Sequence, residues 1–282
     1  MKIDKPIQWA LNHMVVPNLS IEQFIKLAAT VGARAVELRN DLADHASILS
    51  MEPADVRALA EAEKLKILTI NALYPFNDWN EQRAEQAVKL AQYAADCGCE
   101  ALVLVPQCDD ENVGDIRHEK LREALRGLAP ILKQAGLIGF VEPLGFLKSS
   151  LRLKSEAVAA INELNLNADF KIVHDTFHHI LAGEEQLFAQ ETGLIHVSGV
   201  EDPNVKVVDM LDAHRVMVGP NDRLENIAQI SALLSSGADV HCSFEPFAQS
   251  VHQEKDTVAM VSNSIEFIEQ RLEINNLSKL AM

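Results

Sequence analysis

Two rhythms of apolar residues alternate along the chain. Short runs rich in aliphatic and β-branched residues are each followed by a longer stretch in which apolar positions return every three or four residues. Eight such runs read as strands: "IQWALNH", "RAVELR", "KILTINAL", "EALVLVP", "IGFVEP", "FKIVHD", "LIHVSGV" and "VHCSFEP". In the stretch "SIEQFIKLAATVG", Ile21, Phe24, Ile25, Leu27 and Ala28 fall on one helical face. Punctuation agrees with this reading: Ser20 caps the first helix, Pro53 fits a first helical turn, and Gly32, Gly98 and Gly136 stand between a helix and the next strand.

Strand and helix in eightfold alternation predict an α/β fold, a closed (β/α)8 TIM barrel. The competing architecture, a doubly wound open sheet, usually announces a nucleotide by a glycine-rich first turn, and no G-x-G-x-x-G or P-loop motif is present. No Pro-, Gly- or Ser-rich linker divides the sequence, so residues 1–282 are expected to form one domain. Residues 276–282, the end of "EINNLSKLAM", are expected to be a frayed tail or a contact with another subunit in a homo-oligomer.

Composition narrows the partners. With 48% hydrophobic and 23% charged residues, the chain has material for a large core. Lys and Arg number 25 against 41 Asp and Glu, and a net charge of -16 argues against nucleic acid and anionic membrane as partners. Cys97, Cys99, Cys108 and Cys242 show no zinc-knuckle spacing and read as reduced thiols. With no export signal or membrane span, a cytoplasmic location is expected.

In a barrel of this kind the active site lies at the carboxyl ends of the strands. The runs stop at Asn12 and His13, Glu37 and Arg39, Asn71, Pro106 and Gln107, Glu142, Asp175, His196 and Glu245. A single polar strand end is ordinarily a cap or a satisfied hydrogen bond. Eight converging on one mouth point to chemistry, because strands covered on both faces are otherwise nearly all apolar. Glu142, Asp175, His196 and Glu245, from the last four strands, make a set of three carboxylates and one imidazole. Such a set suits one divalent metal, Mn²⁺ by ligand hardness, with Zn²⁺, Co²⁺ or Mg²⁺ as alternatives. A cation also relieves the repulsion among the three carboxylates.

The stretch "KIVHDTFHHI" then divides by position. His174 precedes Asp175 and by strand alternation faces away from the interior, a structural place. His178 lies above the mouth, where it can bind a substrate oxygen or carry a proton. His179 begins a helix and reads as structural. Arg215 can contact substrate or stand in solvent. Trp79 and Phe76 can wall a sugar-sized pocket or cap the barrel hydrophobically. His13 and Asn71 can face the same cavity from strands one and three.

The motifs "VELRN", "LTINALYPFND", "FVEPLG", "VHDTFHH", "IHVSGVED", "HRVMVGPND" and "SFEPF", in this order, resemble the xylose isomerase-like sugar isomerase and epimerase family, most closely the inosose isomerases. The resemblance covers nearly the whole chain. It implies a divalent metal held by Glu142, Asp175, His196 and Glu245, with Glu142 and Glu245 exchanging protons with the substrate and His178 and Arg215 touching it. One departure stands out: related sequences often carry an acidic pair directly after the histidine, whereas here "VSGV" separates His196 from Glu201 and Asp202.

The expected reaction is interconversion of keto-inositols, 2-keto-myo-inositol to 1-keto-D-chiro-inositol, through a cis-enediol. C3 epimerisation of a ketohexose and isomerisation of hydroxypyruvate are the alternatives within the family. An endonuclease IV-type role needs more histidine ligands and a basic groove, and a non-catalytic sugar-binding protein would need no acid/base pair.

Overall fold

The computed structural model describes residues 6–43, 46–109 and 116–280, with side chains as far as Leu272 in the last helix. Eight parallel strands close into a barrel in chain order, β1 (Gln8–Asn12), β2 (Ala35–Arg39), β3 (Lys66–Leu73), β4 (Ala101–Leu104), β5 (Ile138–Val141), β6 (Phe170–Asp175), β7 (Thr192–Val197) and β8 (His241–Phe244), the last pairing with the first. Outside and above the barrel lie helices α1 (Ile21–Thr30), α2 (Pro53–Ala62), α3 (Glu81–Cys97), α4 (Ile116–Ala135), α5 (Lys154–Glu163), α6 (Thr176–Ala182), α7 (Asn226–Ser235), α8 (Gln249–His252) and α9 (Thr257–Leu280). The open-sheet alternative is thereby excluded.

Local chemistry sets the helix ends. Ser20 Oγ accepts from the Gln23 amide at 3.3 Å while Gln23 Oε1 accepts from the Ser20 amide at 3.1 Å, a reciprocal cap that starts α1. The five apolar positions expected on its inner face are the five it buries. Pro53 occupies the first turn of α2, where its missing N–H costs no hydrogen bond. Gly98 ends α3 at φ +80°, a left-handed conformation that a side chain disfavours.

The barrel interior is layered by strand alternation. Ala10, Ala35, Leu68, Val173 and Leu194, with Phe140 against them, form one apolar layer. Two residues further along their strands, Asn12, Glu37, Glu142, Asp175 and His196 form a polar layer above it, all buried. The larger apolar core lies between the barrel and its helices, where Phe24, Leu38, Ile70, Leu102, Leu128 and Phe244 are buried.

His174 points outward as expected: its imidazole pairs with Lys154 Nζ at 2.9 Å and with Gln229 Oε1 at 2.8 Å, joining β6 to α5 and α7. The expected tail is helical through Leu280, and residues 281–282 lie outside the described residues. All four cysteines are free thiols. Among the described residues no helix is long and apolar enough to cross a membrane.

Candidate metal centre and active site

The last four strands deliver the donor set. Glu142 and Glu245 stand one residue past β5 and β8, where their amides continue the ladder by donating to Leu104 O at 3.0 Å and Val197 O at 2.9 Å. Asp175 ends β6 and pairs in register with His196 of β7. Each of the four offers an atom within 4.8 Å of the others, and all four are buried. No other compact group of His, Cys, Asp and Glu with metal-ligand geometry occurs among the described residues.

His196 Nδ1 is the focus. It lies 2.8 Å from Glu142 Oε1, 3.2 Å from Glu245 Oε2 and 4.0 Å from Asp175 Oδ2. On the far side of the ring, Nε2 sits 3.1 and 3.2 Å from the two oxygens of Glu37. Burial lowers the proton affinity of His196, but the charges of Glu245, Glu37 and Glu142 outweigh it and hold the pKa well above the ordinary imidazole value. A proton and a divalent cation therefore compete for the same place beside Nδ1. Hard carboxylate oxygens with one imidazole nitrogen fit a single divalent metal.

Two guanidiniums bracket Glu245. Arg39 Nη1 donates to Glu245 Oε1 at 2.9 Å, and its Nε and Nη2 grip Asp41 at 2.8 and 2.7 Å. Arg215 Nη2 donates to Asp175 Oδ2 at 2.7 Å and to Glu245 Oε2 at 3.1 Å. The Phe247 ring lies between these arginines, its centroid 5.6 Å from Arg39 Cζ and 4.6 Å from Arg215 Cζ. Burial works to raise the pKa of Glu245, but His196, Arg215 and Arg39 override it and keep this carboxyl below its usual range. Glu142 goes the other way: burial, with Glu245 and Asp175 adding to it, outweighs His196 and raises its pKa.

A cavity of about 290 Å³ opens above these groups, lined by Arg39, Asn71, Glu142, His178, Arg215 and Glu245, with Tyr74, Phe146 and Phe247 among its apolar walls. His178 stands at its edge because Asp175 Oδ1 caps α6, accepting from the Phe177 and His178 amides at 2.7 and 3.2 Å. Its ring is held edge-on between Phe146 and Phe177, both 5.1 Å away, and its buried Nδ1 has no hydrogen-bond partner among the described residues.

Seven expected site residues thus meet at one mouth: Glu142, Asp175, His196, Glu245, His178, Arg215 and Asn71. Arg215 is only 1% exposed, so it belongs to the buried ion-pair network and not to solvent. Two expectations are corrected. His13 does not line the cavity: its ring stacks on Phe24 at 4.3 Å and its Nε2 pairs with Leu19 O at 3.0 Å, because alternation turns Asn12 inward and the next residue outward. Trp79 does not line the cavity either: it packs against α4, so close to Gly127 that a Cβ there would clash with the indole. Glu37 and Arg39, expected only as polar strand ends, are integral to the site. The signal was present in "VELR", where two charges two residues apart must share one face of the strand.

The sequence profile of the xylose isomerase-like TIM barrel family matches residues 25–271. The chain belongs to this family. Among solved members of the fold, a xylose isomerase domain-containing protein from Salmonella typhimurium LT2 is 33% identical, with TM-score 0.84 over 95% of this chain and 96% of that one. The IolI protein, solved with a bound zinc atom, is 17% identical with TM-score 0.78, covering 97% of this chain and 99% of its own. A D-psicose 3-epimerase from Clostridium cellulolyticum H10, solved with D-tagatose, is 13% identical with TM-score 0.72, covering 94% and 99%. The last two likenesses are of fold. No curated protein sequence matches the chain.

Proposed function

We propose that the protein is a divalent-metal-dependent isomerase of an uncharged polyol ketone, a keto-inositol, working by proton transfer between adjacent carbons. The observation that carries this reading is the convergence of Glu142, Asp175, His196 and Glu245 within 4.8 Å at the floor of the cavity. Mn²⁺ is the preferred ion by ligand hardness, and Zn²⁺, which the IolI protein holds, is the first alternative. When bound, the cation supplies Lewis-acid polarisation of the ketone and stabilises enediolate charge.

The chain's own residues do the rest. Glu142 and Glu245 both line the cavity, so one carboxylate can take the proton from the carbon beside the ketone and the other group, or His178, can return one to its neighbour. Arg39 and Arg215 fix the Glu245 carboxylate from two sides, which keeps it from swinging as the proton moves. Tyr74, Phe146 and Phe247 offer apolar walls against which the C–H faces of a ring can rest.

Charge favours a neutral substrate. Arg39 and Arg215 already pair with Asp41, Glu245, Asp175 and Asp212, and Glu37 and Glu142 bring the carboxylates to six. Two guanidiniums and a divalent cation leave such a pocket net negative, a poor host for phosphate or carboxylate. This favours keto-inositols and ketohexoses over hydroxypyruvate.

The deciding experiment identifies products by NMR after the Mn²⁺-loaded protein is incubated separately with 2-keto-myo-inositol, fructose, tagatose and hydroxypyruvate. Migration of the ketone in the cyclic substrate supports the reading. Inversion at C3 of a ketohexose, with the inosose untouched, replaces it with the epimerase reading; binding of a ketone with no turnover makes the protein a sugar-binding one.

A further inference from the structure

Glu37 is a fully buried carboxylate at mid-strand in β2 that does not line the cavity. It receives Thr69 Oγ1 at 2.7 Å and Asn71 Nδ2 at 2.9 Å, and both its oxygens face His196 Nε2 at 3.1 and 3.2 Å. Register makes this arrangement: Glu37 pairs with Asn12 on one side and with Thr69 on the other, so its side chain reaches inward and across the barrel to β7.

We infer that Glu37 positions His196 as a metal ligand by drawing the imidazole N–H to Nε2 and leaving the Nδ1 lone pair for the cation. The inference rests on the metal-dependent reading above. Its force comes from the competition on the other side of the ring. Glu142 at 2.8 Å and Glu245 at 3.2 Å from Nδ1 would each accept a hydrogen bond from a protonated Nδ1, and a proton there occupies the place of the metal. Glu37 is the carboxylate on the opposite nitrogen, and it cannot turn away because Thr69 and Asn71 hold it. An outer carboxylate of this kind fixes the tautomer and orientation of a ligating histidine. Asn71 accordingly serves the metal site through Glu37, in addition to facing the cavity.

The test is metal affinity of the intact chain, measured by chelator competition with Zn²⁺ and Mn²⁺, together with the visible absorption of the Co²⁺ form. Glu37→Gln should weaken binding about 10–100-fold and alter the Co²⁺ spectrum, with circular dichroism unchanged. Glu37→Asp should recover part of the affinity. Thr69→Val, which frees Glu37 without touching a ligand, should give a smaller loss in the same direction and decides the matter should Glu37→Gln not fold. A Glu37→Gln protein with wild-type affinity and an unchanged Co²⁺ spectrum overturns the inference alone. A wild-type protein that binds none of the three ions overturns the metal reading with it.

Discussion

Glu245 is gripped by Arg39 on one oxygen and Arg215 on the other, and Arg215 also holds Asp175. Because all four side chains are buried, removing the Arg215 guanidinium leaves the Asp175 carboxylate without its cation and Glu245 with Arg39 alone. Arg215→Met should therefore destabilise the metal-free protein by roughly 3–5 kcal/mol, read from urea unfolding; a loss below 1 kcal/mol would mean the network is not the buried one described. Glu142→Gln and Glu245→Gln differ in kind. Each should lower turnover by about 10²–10⁴-fold while the protein remains folded, and full activity in either would remove that residue from the chemistry. At this scale the sequence revealed the four clustered donors and hid their partners. Glu142, Asp175, His196 and Glu245 were legible because each interrupts an apolar run at a strand end. The pairing of Glu37 with His196 was not, since it joins residues 159 positions apart across the barrel.

Among the elements, β6 and its neighbours carry a polar link on their outer face. Lys154 of α5 reaches His174, which reaches Gln229 of α7, and Gln229 Nε2 donates to Thr176 O at 3.1 Å at the start of α6. Burial depresses the Lys154 pKa to about 8, below the ordinary 10.5. The unfolded chain therefore binds more protons than the folded one between those values, so this group makes stability rise with pH from about 8 to about 10.5, and its penalty is fully present below 8. Lys154→Met should abolish that contribution, and the stability of the wild type relative to the variant should rise by up to about 1.4 kcal/mol per pH unit across the window. A difference independent of pH would show that Lys154 is not charged against its surroundings. The elements themselves were readable because eight strands and the α1 face obey simple periodicities. Trp79 escaped that logic: it lies in the connection after β3, where no period says which way a side chain turns, and it packed on α4 at Gly127.

For the whole molecule, a divalent cation that binds the polar layer of the closed barrel and not the unfolded chain should stabilise the fold through mass action. At a free metal concentration 100 times Kd the gain is about 2.7 kcal/mol, visible as a rise in Tm that a chelator reverses. Because His196 holds its proton well above the usual pKa, and that proton must leave when a metal binds, affinity should weaken as pH falls. A Tm indifferent to Mn²⁺, Zn²⁺ and Co²⁺ would contradict the metal centre. The central claim is that metal-supported carboxylates at the barrel mouth move a proton beside a ketone, and solvent-deuterium exchange tests it most directly. The Mn²⁺-loaded protein in D₂O should place deuterium on a carbon next to the carbonyl of 2-keto-myo-inositol, while the chelated protein and the Glu142→Gln and Glu245→Gln variants should not. Absence of exchange above background by the loaded wild type, or equal exchange by the chelated protein, would contradict it.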